Sequence, residues 1–266
     1  YQHQNPYILG LEPVMLRNYE KRDKYDPVDV EEEMAMRKLV GGLSWVTMRT
    51  RGDGAVQVNW LQSSLHKCKV HQVLTANKLV RFLQGSPQVQ IRYPGGGIPN
   101  ARVTGIMDAA VGNREDNYSQ GGTMVCITNS KCARNSECVP ISWKSRKIPT
   151  ICETSTEAET KQSVHCRKMT LCINDLMHAM VDACSDEEGL KEEPACVYGD
   201  CEDLVSHVYS LRMAVKDKTL LRAELAMRGK LADTTRDGLR HFTWIDGKDN
   251  PVDALTKDNK GTRTLL

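Results

Sequence analysis

The stretch ACVYGDCEDLVSHVYSLR (residues 195–212) decides how the chain is read. It begins as a short apolar run suited to a buried strand, closes that run on a carboxylate, Asp200, and passes at once into helical sequence, Leu204 to Leu211. An acid at the end of an inner strand is costly unless something there requires it. The reading therefore turns on whether other acids stand in matching positions.

Three others do. ARVTGIMD (101–108) reads as a strand ending in Asp108. GGTMVCIT (121–128) and CVPISWK (138–144) read as two more strands, joined by turn-rich sequence. A long helical pattern runs from Thr156 to about Asp182, with Glu159 in its first turns. Its apolar stripe of Met169, Cys172, Ile173, Leu176, Met177 and Met180 has helical spacing and reads as core. After ACVYGD come helical sequence at 204–211 and 219–231 and a strand LRHFTWID (239–246). NPVDALTK (250–257) then starts a helix, with Asn250 as N-cap, Pro251 in the first turn and Asp253 just after. The order is β-β-β-α-β-α-β-α, in which the first three strands are antiparallel. If the first and fourth strands are neighbours, Asp108 and Asp200 lie side by side, and Glu159 and Asp253 converge on them. Four carboxylates that close repel unless cations neutralise them. Two Mg2+ ions about 4 Å apart, or Mn2+ in their place, would do so and would suit phosphodiester hydrolysis.

The sequence before residue 98 has a different character. Residues 1–28 contain Asn5-Pro6, Glu12-Pro13 and Asp26-Pro27 and read as an extended lead-in. Residues 29–97 read as mainly helical. One helix starts near Asp29 with Glu31, Glu32 and Glu33 in its first turn, and a second runs from Ser63 to Leu83. Gly95-Gly96-Gly97 marks the boundary to residues 98–266. The formal net charge of the 266 residues is +2, but it is unevenly spread. Between Arg37 and Arg92 nine Lys or Arg face a single acid, Asp53. A basic segment beside an acidic site suits a polyanion, and Arg49, Arg51, Lys67, Lys69, Lys78 and Arg81 are its candidate nucleic-acid contacts.

Other classes are excluded or disfavoured. No apolar run approaches the roughly 18 residues needed to span a membrane, and no signal peptide is visible. The chain begins at Tyr1 and reads as a piece of something longer. The ten cysteines form no C-x-x-C pair, so zinc and disulfides are disfavoured against free thiols in a reducing compartment.

Specific words carry a family resemblance. ISWKSRK followed by STEAET (141–160) resembles the "SWKSKKQ…SSTEAEY" run of copia-type LTR retrotransposon Pol polyproteins. WIDGKDNPVDALTK (244–257) resembles their terminal "NPADALTK", and IMDAAVGNREDNYSQGG resembles "SDADWAG…RRSTSGY". Upstream, RKLVGGLSWVTMRTRGDGAVQV resembles "RSLVGSLMYLATRPDIAYAV", and KLVRFLQGSP resembles "RILRYLKGT". The resemblance covers about Pro27 to Lys257. It implies the end of a reverse transcriptase, thumb or connection, followed by a ribonuclease H-like α/β domain with a mixed five-stranded sheet.

The implied activity is two-metal hydrolysis of the RNA strand of RNA–DNA hybrids, with Asp108, Glu159, Asp200 and Asp253 catalytic and metal-binding. The implied partners are the hybrid and the rest of the polyprotein, its polymerase palm and integrase, in a cytoplasmic particle or the nucleus. The palm's catalytic Asp-Asp motif is absent, so no polymerase activity is expected. Departures include Gly52 and Gly54, expected to loosen their turn, Ala110 for the second acid of "DAD", and Thr160 for the aromatic after the catalytic glutamate. The last of these leaves Glu157 as an alternative to Glu159. A catalytically decayed remnant serving as a nucleic-acid or protein interaction module is the alternative function.

Overall fold

A computed structural model describes residues 4–93, 98, 100–129, 137–184, 195–209 and 239–257. The glycine cluster and the helical pattern at 219–231 lie outside the described residues. The chain divides into two compact units between Arg92 and Tyr93.

The first unit is helical: α1 (Asn5–Leu9), α2 (Val30–Arg49), α3 (Ala55–Ser64) and α4 (Val70–Gln84). Asp29 caps α2 in a reciprocal box. Its carboxylate accepts from the Glu32 amide at 2.8 Å, and the Glu32 carboxylate accepts from the Asp29 amide at 3.0 Å. Met36, Leu39, Val40, Leu43 and Val46 of α2 pack with Val73, Ala76, Val80 and Leu83 of α4.

Three expectations are corrected here. The lead-in is not extended: Ile8 and Val14 join this core, and the Asn77 side chain clamps the Val14 backbone through both its N–H (2.9 Å) and its C=O (2.8 Å). The expected helix 63–83 is two helices. The Gln72 side chain accepts from the Lys69 amide at 2.7 Å and so starts α4 afresh, while α3 lies ahead of a 3-10 turn at Leu65–Lys67. Nor do the glycines near residue 53 loosen their turn. Gly52–Gly54 form a buried 3-10 turn, and a Cβ on Gly54 would come within 2.9 Å of Thr47 Cγ2 and 3.3 Å of Leu79 Cδ1.

The second unit holds β1 (Ala101–Ala110), β2 (Gln120–Asn129), β3 (Cys138–Lys147), α5 (Ser155–Cys184), β4 (Ala195–Gly199), α6 (Glu202–Tyr209) and β5 (Leu239–Trp244). The sheet order is β3-β2-β1-β4-β5. The pairs β1–β2 and β2–β3 are antiparallel, and β1–β4 and β4–β5 are parallel. The sheet is thus mixed and five-stranded, with helices flanking it, as the sequence led one to expect. Pro140, which cannot donate to a ladder, sits on edge strand β3 beside the register shift at Val125/Cys126.

The stripe expected to be the core of α5 is only half so. Met169, Ile173 and Met177 are partly buried, but Cys172, Leu176 and Met180 are exposed. The face turned inward is polar and small: Gln162, Ser163, Cys166, Thr170 and Asn174. Gln162 Nε2 donates to the Gly122 carbonyl at 2.9 Å and to Thr123 Oγ1 at 2.6 Å, so these polar groups reach the sheet already paired. After β5, Pro251–Leu255 form a 3-10 turn rather than an α-helix.

Candidate metal centre

Parallel pairing of β1 and β4 runs through Ile106↔Tyr198, so Asp108 and Asp200 each stand two residues beyond that pair. The first turns of α5 bring Glu159 over them. Its Oε1 accepts from the Ala109 amide at 3.0 Å. One carboxylate oxygen from each of Asp108, Glu159 and Asp200 lies within 4.8 Å of the others. The structure also separates the two glutamates of STEAET. Glu159 is buried in this cluster, whereas Glu157 pairs with Lys161 and accepts from the Glu153 amide at 2.8 Å.

The cluster is electrostatically loaded. Burial raises Asp108 to a pKa of about 6; a hydrogen bond from Thr256 opposes the rise, and the charge of Asp200 adds to it. Burial, then the charges of Asp108 and Asp200, push Glu159 up to about 9. Glu159 Oε2 is buried and has no hydrogen-bond partner among the described residues. An acceptor of this kind, held among two other carboxylates, is short of a positive group. All the oxygens are hard donors of the type Mg2+ and Mn2+ prefer, so the residues present fit such an ion.

Asp253 is not among the three. It sits on the 251–255 turn with its Oδ1 bonded to Lys257 Nζ. Its place is nonetheless beside the cluster, because its charge contributes to the raised pKa of Asp108. The turn is fixed to the sheet at several points. Asn250 Nδ2 donates to the Met107 carbonyl at 3.1 Å, and its Oδ1 accepts from the Val252 amide at 3.0 Å. Ser145 Oγ donates to the Leu255 carbonyl at 2.6 Å, and Asn113 Nδ2 to that of Thr256 at 2.7 Å. Gly122 gives the room, since a Cβ there would come within 2.7 Å of Val252 Cγ1 and 2.9 Å of Leu255 Cβ.

Thr256 and Lys257 are functional candidates that the sequence reading did not assign. The Thr256 hydroxyl donates to Asp108 Oδ2 and also reaches the Asp253 carbonyl, at 3.1 Å. Burial works against the Lys257 charge. The bond to Asp253 and the fields of Asp108, Asp253 and Asp200 outweigh it and hold the pKa above its ordinary value. Both residues lie in NPVDALTK, the word that located Asp253, and that placement was the available signal.

Of the candidate nucleic-acid contacts, Arg51 requires correction. It is 1 % exposed, and its guanidinium bonds Asp53 (2.8 Å), the Ser86 carbonyl (2.8 Å) and Ser86 Oγ (3.0 Å). It has no surface to offer a phosphate; it fastens the end of α4 to the turn before α3. Arg49, Lys67, Lys69, Lys78 and Arg81 are exposed, and none of them pairs with a carboxylate among the described residues. Lys69 Nζ and Lys24 Nζ lie 5.7 and 4.9 Å from the ring centroid of the exposed Tyr25, whose edge His71 also meets. Arg49 lies over Trp45 at 4.7 Å.

No protein-family profile matches the chain. A retrovirus-related Pol polyprotein from transposon RE1 of Arabidopsis thaliana is 27% identical over 139 residues, which are 52% of this chain and 9% of that protein. The match therefore covers less than a tenth of this relative's length. Among solved structures, LC11-RNase H1 in complex with an RNA/DNA hybrid aligns with 58% of this chain and 94% of its own, at 17% identity and TM-score 0.39. The N-terminal RNase H domain of rv2228c from Mycobacterium tuberculosis aligns with 59% and 97%, at 18% identity and TM-score 0.39. A foamy viral protease–reverse transcriptase in complex with an RNA/DNA hybrid aligns with 91% and 26%, at 10% identity and TM-score 0.41. The likeness to a retrotransposon Pol polyprotein, carried in the sequence by its motif words, is thus met by a relative of that description over about half of this chain.

Proposed function

We propose that residues 98–266 act as the ribonuclease H part of a retrotransposon reverse transcriptase, hydrolysing the RNA strand of RNA–DNA hybrids with a divalent metal. The observation that carries this reading is the meeting of Asp108, Glu159 and Asp200 at one end of the central strands, with a buried Glu159 oxygen that no described residue hydrogen-bonds. These three carboxylates would hold Mg2+ or Mn2+. The bound ion would supply an activated water and stabilisation of the leaving oxygen. The chain's own contribution is to fix the donors beforehand. The Ala109 amide sets Glu159, and the Thr256 hydroxyl sets Asp108. The 251–257 turn, pinned by Asn250 and Ser145, closes over the strand ends.

A hybrid would be recognised by its groove shape and 2′-hydroxyls, with phosphate contacts supplying salt-dependent affinity. Arg49, Lys67, Lys69, Lys78 and Arg81 are the cations offered for that purpose by the first unit, which corresponds to thumb or connection. The same reading makes the remaining Pol segments partners, inside the cell in a cytoplasmic particle or nucleus.

The test is a labelled RNA–DNA hybrid incubated with the chain and Mg2+. Cleavage of the RNA strand by wild type that disappears with Asp200→Asn supports the reading. Hybrid binding without cleavage overturns it and leaves a non-catalytic interaction module.

A further inference from the structure

Three cations and a histidine meet on one edge of the second unit, and no described acid is set against them. We propose that Lys144 and Arg146 of β3, with His165 and Lys168 of α5, form a phosphate-binding groove whose ligand is the backbone of a nucleic-acid strand. The affinity for phosphate stands apart from the metal centre, whereas its assignment to a strand of the hybrid rests on the proposed function.

Register and packing bring these residues together. Arg146 lies opposite Gly121 in the ladder, and Lys144 opposite Thr123. Both β2 residues face α5: a Cβ on Gly121 would run into Gln162 Oε1, and Thr123 Oγ1 accepts from Gln162 Nε2. Residues directly opposite one another share a face, so Arg146 and Lys144 also turn toward α5. Arg146 Nε donates to Gln162 Oε1 at 3.3 Å. His165 follows Gln162 by three residues on the helix and Lys168 follows His165 by three, which sets them in one row. Arg146 and His165 are half-buried, while Lys144 and Lys168 are exposed. The register Ala109↔Gly121↔Arg146 puts the head of the groove level with the residue after Asp108 and two strands away, roughly 10 Å across the sheet. From there the groove runs back along β3 and α5, away from the acids.

The groove is short of an anion. Among the described residues His165 Nε2 is buried with no hydrogen-bond partner, and none of Lys144, Arg146 and Lys168 pairs with a carboxylate. The acids of α5 on this side are engaged or distant: Glu157 is bonded to Lys161, and Asp175 stands seven residues beyond Lys168. Burial, then the charges of Arg146, Lys144 and Lys168, push His165 down to about 4, and burial works against the Arg146 charge as well. Like charges gathered at a half-buried edge oppose folding unless an anion joins them. A phosphodiester supplies what is missing. The Arg146 guanidinium is steadied by Gln162, itself bonded to Gly122 and Thr123, and can turn its terminal N–H groups to a phosphate oxygen. The imidazole can donate from Nε2, and the two ammonium groups add point charge. Lys144 and Arg146 are spaced about 7 Å along the strand, and His165 and Lys168 nearly a helical turn apart, a spread that suits successive phosphates of a chain better than one small anion.

The test follows the imidazole NMR resonances of the full chain in EDTA, where a hybrid stays intact, during addition of inorganic phosphate and, separately, of an RNA–DNA hybrid. Loss of one resonance in His165→Gln assigns it. Both ligands are expected to move the His165 resonance, the hybrid at far lower concentration. Joint replacement Lys144→Gln and Lys168→Gln alters exposed side chains only, and melting curves verify its fold. It is expected to leave His165 unmoved by phosphate, to weaken hybrid binding at least about tenfold at low salt and to reduce the slope of log K against log salt by about two. A His165 resonance that neither ligand moves, or a double variant that binds hybrid as wild type does, overturns the proposal. Movement by phosphate but not by hybrid overturns the assignment to a strand. Movement by hybrid with no Mg2+-dependent cleavage supports the groove and overturns the nuclease reading, and cleavage with His165 unmoved does the reverse.

Discussion

Replacing Glu159 by Gln should stabilise the metal-free protein at alkaline pH, and the size of the effect follows from the site. Glu159 is raised to about 9 from 4.5, and Asp108 to about 6 from 3.8. A carboxyl whose pKa is raised by folding contributes stability that is fully present below its unfolded value. That stability is lost as pH climbs through the folded value, because the unfolded chain releases the proton first. For Glu159 the loss therefore builds between about pH 4.5 and 9, and for Asp108 between about 4 and 6. Each unit is about 1.4 kcal/mol, so Glu159 alone would cost ~5 kcal/mol at pH 8 if it titrated independently. Its coupling to Asp108 and Asp200 and local relaxation reduce this to about 2–4 kcal/mol.

Gln removes the titration but keeps an oxygen for the Ala109 amide. In EDTA at pH 8, Glu159→Gln should thus melt roughly 5–12 °C above wild type. The gap should shrink to a few tenths of a kcal/mol near pH 4.5 and vanish about one unit lower, where Glu159 is protonated in both states. Mg2+ should raise the wild-type midpoint at pH 8 and should do much less for the variant. Paired acids elsewhere, such as Glu32 with Arg22, are common to both proteins and cancel in the difference. A Glu159→Gln protein less stable than wild type at pH 8 in EDTA, or a gap that does not shrink on acidification, would refute the electrostatic reasoning.

Three further outcomes are expected. Glu157→Gln should keep hybrid cleavage within about twofold of wild type, whereas Glu159→Gln should lower it at least about a hundredfold, about 3 kcal/mol of transition-state stabilisation; single-turnover rates decide between them. Joint replacement of Lys67 and Lys69 by Ala should weaken hybrid binding and reduce the slope of log K against log salt by about two, with no dependence on hybrid sequence, as read by a fluorescence titration at several salt concentrations. Arg51→Met should leave that slope unchanged but destabilise the protein by about 3–5 kcal/mol in urea unfolding, because it abandons the buried Asp53 carboxylate.

The strands of the second unit were readable because each carries its own local signal: an apolar run, a turn and a length that fits. Burial phase was harder. The 3.6-residue period of α5 was right, yet its fully buried face is Gln162, Ser163, Cys166 and Thr170, while Met169, Ile173 and Met177 are only partly buried and Leu176 and Met180 are exposed. Hydrophobicity misleads where a helix lies close on a sheet through small polar groups that bond to it, as Gln162 does to Gly122 and Thr123. In the first unit the break between α3 and α4 is made by one side-chain bond, Gln72 to the Lys69 amide, within a continuous helical pattern. Charge alone likewise could not separate Arg51 from Arg49. One ends in a buried cage of Asp53 and Ser86, and the other lies exposed against Trp45.

The site divides along the same line. Asp108, Asp200 and Glu159 were legible because their places follow from strand ends and a helix start once β1 and β4 are neighbours. The state of Asp253 was not, because it depends on a 3-10 closure whose shape is set by distant partners. Those partners are the Met107 carbonyl for Asn250, Ser145 for Leu255, and the empty side of Gly122. That closure turns the last acid toward Lys257 and the Thr256 hydroxyl toward Asp108. A motif that supplies a fourth carboxylate also supplies, four residues on, the cation that pairs with it. The charge balance of the site is therefore a property of the folded turn rather than of the number of acids in the word.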